Sequence, residues 1–397
     1  MIPFQQGHIA TLQDITVTGK TVFLRADLNT PLQDGVVSND ARIKAVLPTL
    51  HYLLEQGAQV VLASHFGRPK GKVEPEFSLL PVADRLSELV DCDVIFTDDC
   101  IGDGVRKLLE NPKNKLILLE NLRFHEGEKN CDPDFVEVLA KGMDVYVNDA
   151  FGTLHRDHAS ITGMPKQIET CAVGLLVEKE LSYLQPLVKS AAKPYAVILG
   201  GAKISDKIKV VEQLVKKVDR LFIGGAMAFT FLKANGLPIG NSLYEPDMID
   251  YAKKIMEEAS SRRVSVFFPR DFQIAQSIDA TEVQITETAR IPDGWMGLDV
   301  GPKTIAHFAT YLKDVKTVFW NGPMGMFEKE PFDQATIAIA KAIAPLDAVK
   351  IIGGGDSVAA VERSGVSDQM SHVSTGGGAT LEFLKDPRLP GLKALLS

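Results

Sequence analysis

Cysteine is scarce in this chain of 397 residues, with only Cys92, Cys100, Cys131 and Cys171. No pair has C-x-x-C spacing, and so few thiols cannot staple a chain this long. Reduced cysteines in a cytoplasmic protein are therefore expected. Long apolar runs are absent too, since no stretch approaches the roughly 20 residues a membrane span needs. The opening residues Met1, Ile2, Pro3, Phe4, Gln5 and Gln6 lack the basic and apolar blocks of a secretory leader, so export is not expected. Nor is there an excess of positive charge. A net charge of −8 argues against nucleic acid, whose binding rests on Lys and Arg neutralising phosphates. Low-complexity tracts and internal repeats are missing as well.

The deficit of positive charge is uneven. Residues 1–177 hold 17 Lys and Arg against 25 Asp and Glu, whereas residues 178–397 hold 26 of each. An anion site in the first half must therefore be a local pocket, not a basic face.

A hydrophobic content of 45% with 24% charged residues is ordinary for a folded protein, and the length suggests roughly two domains of about 150–200 residues. Short β-branched runs alternate with longer helical patterns, which predicts βαβ units and parallel sheets. Ile43, Leu47, Leu50 and Leu54 mark a helix over 41–56, and Ile208, Val211, Leu214 and Val215 another over 205–217. Leu181, Leu184, Leu187 and Val188 mark a helical connector. The expected division is a first domain 1–177, a connecting helix 178–193 and a second domain 194–384.

The loops after the strands carry the chemistry. In the first half they end in cations: Arg25 before Asp27, Leu28 and Asn29; His65, Phe66, Gly67 and Arg68 after Leu62; Arg123 after Leu119. In the second half they end in glycine: Gly200-Gly201 after Leu199, Gly353-Gly354-Gly355-Asp356 after Ile352, and Gly376-Gly377-Gly378 after Ser374 and Thr375. Ligands of open parallel sheets bind at the carboxyl ends of the strands. Differently equipped ends predict two different anionic ligands.

Each motif has a plainer reading. Gly19-Lys20-Thr21 resembles the end of a phosphate loop, but Asp14 replaces its first glycine and a strand follows. Gly102-Asp103-Gly104 begins a dinucleotide fingerprint that fails at Lys107. The run 200–207 follows a strand and is expected to open a helix, with backbone amides converging and Lys203 and Lys207 on one face. The alternative is a tight turn with two solvated lysines. Asp356 beside phosphate-binding backbone is a candidate Mg²⁺ ligand, or else a helix cap. Arg25, Arg42, Arg68, Arg123 and Arg156 all lie near strand–loop junctions, where planar guanidinium forks suit carboxylate and phosphate. With Asp27, Asn29 and His65 they fit a small polyanion; singly, each arginine would be a surface ion pair. His155-Arg156-Asp157-His158 has no ligand cluster at zinc spacing. The apolar residues of segment 320–328 could line a base pocket with Glu328 on ribose hydroxyls, or form a packed turn.

Taken in order, these segments resemble the phosphoglycerate kinase family. The shared stretches are R-x-D-x-N-x-P (25–31), H-x-G-R (65–68), L-E-N-x-R-F (119–124), F-G-T-x-H-R (151–156), G-G-A-K-x-x-x-K (200–207), W-N-G-P (320–323), G-G-G-D (353–356) and S-T-G-G-G-A (374–379). Ser357, where the family more often has Thr, and Asp157, where a small residue is common, depart from the pattern.

The resemblance implies two Rossmann-like lobes, each a parallel sheet flanked by helices, joined by a helix, with tail 385–397 returning to the first. It implies reversible phosphoryl transfer between 1,3-bisphosphoglycerate and MgADP, giving 3-phosphoglycerate and MgATP, by in-line transfer after domain closure. The triose would lie against Asp27, Leu28, Asn29, Arg42, His65, Phe66, Gly67, Arg68, Arg123 and Arg156. The nucleotide would lie across Lys203, Lys207, Glu328, Gly354, Gly355, Asp356 and Ser357, with Mg²⁺ at Asp356. Arg42, Lys203, Gly376 and Gly377 would surround the transferring group. No partner beyond these small molecules is expected, and a monomer is.

The residue chemistry is consistent with that. A carboxylate nucleophile is ionised at neutral pH, since such groups titrate near ~4. No general base is needed, and no Ser–His–Asp or Cys–His set stands out. A dehydrogenase on the same sheets would need an intact glycine fingerprint with an acidic residue about 20 positions on, which is lacking. A simple anion-binding module would leave the Gly, Lys and Asp set of the second half without a use.

Overall fold

The computed structural model describes residues 1–4 and 7–396. Two compact units emerge. The first runs from Met1 to Ser182 and is rejoined by the chain from Arg388; the second is Tyr183–Pro387.

The first unit is built on β1 (Thr21–Arg25), β2 (Gln59–Ala63), β3 (Val94–Phe96), β4 (Leu116–Leu118), β5 (Val145–Asn148) and β6 (Thr170–Val173). These form one six-stranded sheet in the order β6-β5-β1-β2-β4-β3, with every pairing parallel. Every residue of β2, β4 and β5 is buried, as a parallel sheet covered by helices on both faces requires. Helix α1 (Ala41–Glu55) buries Ile43, Val46, Leu50 and Leu53. Its inward stripe is thus rotated slightly from the expected one, leaving Leu47 and Leu54 half-buried.

The chain passes between the units inside helix α2 (Leu175–Lys189). The second unit contains β7 (Tyr195–Leu199), helix α3 (Ile208–Leu214), β8 (Arg220–Ile223) and β9 (Ser265–Phe267). Strands β10 (Phe272–Ala275), β11 (Gln284–Ile285) and β12 (Met296–Val300) follow, then β13 (Thr317–Asn321), β14 (Val349–Gly353), helix α4 (Gly355–Arg363), β15 (His372–Val373) and helix α5 (Gly378–Lys385). The main sheet is parallel and ordered β9-β8-β7-β13-β14-β15. Counted within that sheet this is the 3-2-1-4-5-6 order of a doubly wound fold, whose switch point lies between β7 and β13. Strands β10 to β12 form a separate three-stranded antiparallel sheet that strand periodicity had not revealed. Helix α6 (Pro390–Ala394) brings the tail back to the first unit, where the Gly391 amide donates to the Leu154 carbonyl at 2.9 Å.

The start of α2 depends on a buried acid. Asp149 Oδ1 accepts the amides of Leu176 and Val177 at 2.9 and 3.2 Å. Burial pushes its carboxyl up to about 7, against the opposing pull of the Thr49 hydroxyl and these amides. The folded carboxyl then keeps a proton that the unfolded chain releases near 3.8. The associated stability is complete at low pH and is lost as pH rises through about 7. Thermal unfolding midpoints compared at pH 5 and pH 8 should therefore fall less in Asp149→Asn than in the parent; equal falls would exclude Asp149 as a source.

Candidate functional site

In the first unit the chain leaves β1, β2 and β5 side by side, and the side chains at their carboxyl ends converge. Arg25, the last residue of β1, is fully buried. Its Nε donates to Ser160 Oγ at 2.8 Å, and Nη2 lies 3.3 Å from His65 Nδ1. A guanidinium only donates, so Nδ1 must accept and the imidazole proton sits on Nε2. Burial, reinforced by Arg25, Arg123, Arg156 and Arg42, holds His65 well below its ordinary pKa. His65 is thus a neutral donor among cations.

The other expected residues interlock around it. Asp27 Oδ1 accepts Arg42 Nη1 at 2.8 Å and the Asn29 amide at 3.3 Å. Asn29 Oδ1 accepts the Gly67 amide at 2.8 Å, and the Gly67 carbonyl accepts Arg123 Nη1 at 2.7 Å. Leu28 and Phe66 are buried and contribute backbone: the Leu28 amide donates to Ser64 Oγ, the Phe66 amide to Asn121 Oδ1. Arg68 is exposed. Burial and the neighbouring guanidinium groups of Arg156 and Arg25 bring Arg123 down to about 10. Burial also lowers Arg156, with Asp27 opposing and Arg25, Arg68 and Arg42 adding to the fall. Buried Arg123 Nε and Arg156 Nη1 have no hydrogen-bond acceptor. Unmatched cationic donors in one pocket call for an anion.

This cluster has a buried counter-charge that sequence reasoning missed. Glu128 is fully buried and accepts the Ser160 amide at 2.9 Å and Ser160 Oγ at 2.7 Å, so a chain of contacts runs Glu128–Ser160–Arg25–His65. Burial raises its carboxyl pKa, while Arg25 and Ser160 oppose the rise. Arg25 is accordingly a supporting cation beneath the pocket, not a lining one. Asp157 accepts the Thr162 hydroxyl, which ties its carboxylate to the adjacent turn.

In the second unit the glycine-ended strands β7, β13 and β14 also lie side by side. A Cβ on Gly200 would stand 2.0 Å from the Pro323 carbonyl, so this crossing tolerates no side chain. Beyond it the expected helix fails: α3 begins only at Ile208, and Lys203 and Lys207 do not share a helical face. The amides expected for phosphate are occupied by a carboxylate. Glu245 accepts Ile204 N at 2.6 Å, Ser205 N at 3.1 Å and the Ser205 hydroxyl. Lys203 is exposed, whereas Lys207 turns inward, donating to the Gly200 and Asn321 carbonyls at 2.5 and 3.2 Å. Burial lowers Lys207 to about 8, with Asp356 and Asp206 opposing.

Gly354 has φ +90° and holds the N-cap position of α4, which leaves Gly355 and Asp356 in its first turn. Asp356 is therefore not the cap. Its carboxyl is raised by burial and by Glu328, with Lys207 opposing. Two neighbouring carboxylates beside a glycine-rich loop offer an oxygen donor set suited to a hard divalent cation such as Mg²⁺. Ser357 is buried, and its Oγ accepts the Gly322 amide at 2.6 Å. Gly377, at φ +53°, caps α5, while the Gly376 amide donates to Ser374 Oγ at 3.2 Å.

A pocket of about 500 Å³ opens beside these loops, with Glu328 and Asp356 among its lining residues. Met324 and Met326 line it, but Trp320 does not. Trp320 is buried in the core, with Nε1 donating to the Gly322 carbonyl at 2.8 Å. Among its other apolar walls are Phe229, Leu243, Phe272 and Met296. The last two come from the antiparallel sheet, so no local motif announced them. The size and the few polar groups suit a flat aromatic ligand.

The family model described as phosphoglycerate kinase matches residues 12–386. A phosphoglycerate kinase of Anaeromyxobacter dehalogenans is 50% identical over 391 residues, covering 97% of this chain and 99% of that protein. A protein of Triticum aestivum named phosphoglycerate kinase, cytosolic, is 51% identical over 393 residues, covering 98% of each chain. The solved structure of phosphoglycerate kinase from Coxiella burnetii superposes with a TM-score of 0.88 at 38% identity, covering 98% of both chains.

Proposed function

The chain belongs to the phosphoglycerate kinase family, and from that premise we propose how its own residues divide the work. The enzyme transfers a phosphoryl group reversibly between 1,3-bisphosphoglycerate and ADP, giving 3-phosphoglycerate and ATP, in glycolysis. The first unit is the triose site and the second the nucleotide site. The observation that carries this division is the pocket of Arg42, Arg68, Arg123, Arg156 and neutral His65 in one unit, set against the base-sized apolar pocket rimmed by Glu328 and Asp356 in the other.

His65 Nε2–H and the unmatched Arg123 and Arg156 donors bind the triose anion, while Asp27 and Asn29 hold Arg42 and the Gly67 loop in place. The nucleotide base lies in the apolar pocket, and Glu328 accepts from ribose hydroxyls. Gly354 and Gly355 let backbone approach the phosphates, and Asp356 would hold Mg²⁺. The ion, when bound, neutralises phosphate charge. Lys203 and Arg42 supply positive charge around the transferring group, with Gly376 and Gly377 presenting bare backbone to it. In the ATP-consuming direction the attacking carboxylate is already ionised, so the chain need not move a proton. Its contribution is alignment and electrostatics. Because each unit holds one ligand, closure must bring the two together and exclude water. The free cysteines favour a reducing compartment, the cytoplasm.

The Mg²⁺ assignment has its own test. Asp356→Asn should raise the Mg²⁺ concentration needed for half-maximal rate, and excess Mg²⁺ should partly restore activity with the melting temperature little changed. A lower melting temperature with unaltered Mg²⁺ dependence would make Asp356 purely structural.

A further inference from the structure

The arginine pocket and the nucleotide pocket leave one reactive cluster unused. Asp99 and Cys100 follow β3, and His125 follows the turn Leu122–Phe124 that carries Arg123. Their carboxylate, thiol and imidazole ligand atoms all lie within 4.8 Å of one another, the single such grouping among the described residues. His125 Nε2 is 2.7 Å from Asp99 Oδ1, which also accepts the Cys100 amide at 2.6 Å. The His125 ring is stacked on Phe135, with centroids 5.2 Å apart, so its orientation is set by packing. Cys100 is buried, while Asp99 and His125 are partly exposed, which leaves one side open to solvent.

We propose that Asp99, Cys100 and His125 form a second cation site, distinct from the nucleotide's, for a borderline divalent ion such as Zn²⁺, with water in the fourth position. Thiolate plus imidazole selects a transition ion over Mg²⁺, and the carboxylate completes a mixed set of three protein ligands. Tetrahedral bonds of about 2.0–2.3 Å place ligand atoms roughly 3.3–3.8 Å apart. That separation falls between the 2.7 Å His125–Asp99 contact and the 4.8 Å span, so small side-chain rotations suffice. Burial first, and then the Asp99 and Glu128 carboxylates, act against ionisation of the Cys100 thiol, a penalty that a dication offsets. On binding, the Cys100 thiol proton leaves to solvent and the imidazole proton moves from Nε2 to Nδ1, so affinity rises with pH. The ion would tie the loop after β3 to the Arg123 turn and so stiffen one wall of the triose pocket.

The test is titration of the full chain with Co²⁺, read by absorption. Intense tetrahedral d–d bands and a thiolate-to-cobalt charge-transfer band are expected, both bleached by Zn²⁺. Cys100→Ser should abolish the charge-transfer band. His125→Gln, at a partly exposed position that should fold even where the first variant does not, should weaken Co²⁺ binding at least about tenfold. Absence of a charge-transfer band, or a band that survives both substitutions, would overturn the site and leave an Asp–His hydrogen bond beside a buried thiol.

Discussion

Replacing Arg42 with lysine is expected to lower kcat by about 10²–10³-fold, corresponding to ~3–4 kcal/mol for loss of one preorganised donor to the transition state. Binding of 3-phosphoglycerate and of nucleotide should change far less. Arg42 sits in the first turn of α1 with Nη1 on Asp27 and its side chain 44% exposed. One end of its fork is thus anchored while the rest can meet a charge that develops during transfer. Lysine keeps the charge but loses the second arm, and with it the simultaneous grip on Asp27 and an equatorial oxygen. Steady-state kinetics beside equilibrium binding separate the two effects. A variant with near-parental kcat would remove Arg42 from the transition state.

Glu128→Ala should be the most damaging substitution for stability. It would remove the counter-charge of a fully buried arginine and leave the Ser160 amide and hydroxyl without their acceptor. Breaking one side of a buried ion network typically costs about 3–5 kcal/mol. Glu128→Gln, which retains an acceptor and the volume, should lose less. The same change should reach the site, because Glu128 no longer fixes the Ser160 hydroxyl that accepts from Arg25, the residue beside His65 Nδ1. Calorimetric unfolding of both variants is the measurement; an alanine variant as stable as the parent would show that Arg25 does not depend on Glu128.

Much of this was legible in the sequence, for identifiable reasons. Parallel strands buried on both faces write themselves as unbroken apolar runs, so residues 60–62 and 196–199 declare strands without any partner being known. The residues just after them must lie at a sheet edge, which is why Asp27, His65 and Arg123 could be grouped from sequence. Lateral relations were not legible. Glu245 occupies the amides of Ile204 and Ser205 from 41 and 40 positions away, and Phe272 and Met296 reach the apolar pocket from a sheet with no motif. The start of α3 at Ile208 was misplaced because the apolar stripe continues through the preceding turn. Only the carboxylate of Glu245 and the inward Lys207 show why the helix begins late. Arg25 looked like the other arginines, because nothing local distinguishes a buried guanidinium from a pocket-lining one.

Each unit holding its own ligand is the central claim, and crossed calorimetric titrations of the full chain test it most directly. 3-Phosphoglycerate and MgADP are titrated separately into the parent, Arg68→Ala and Lys207→Ala. Arg68→Ala should weaken 3-phosphoglycerate and leave MgADP nearly unchanged, and Lys207→Ala should do the reverse. If each substitution weakened both ligands equally, or each weakened the other's ligand, the division of the triose and the nucleotide between the two units would be wrong.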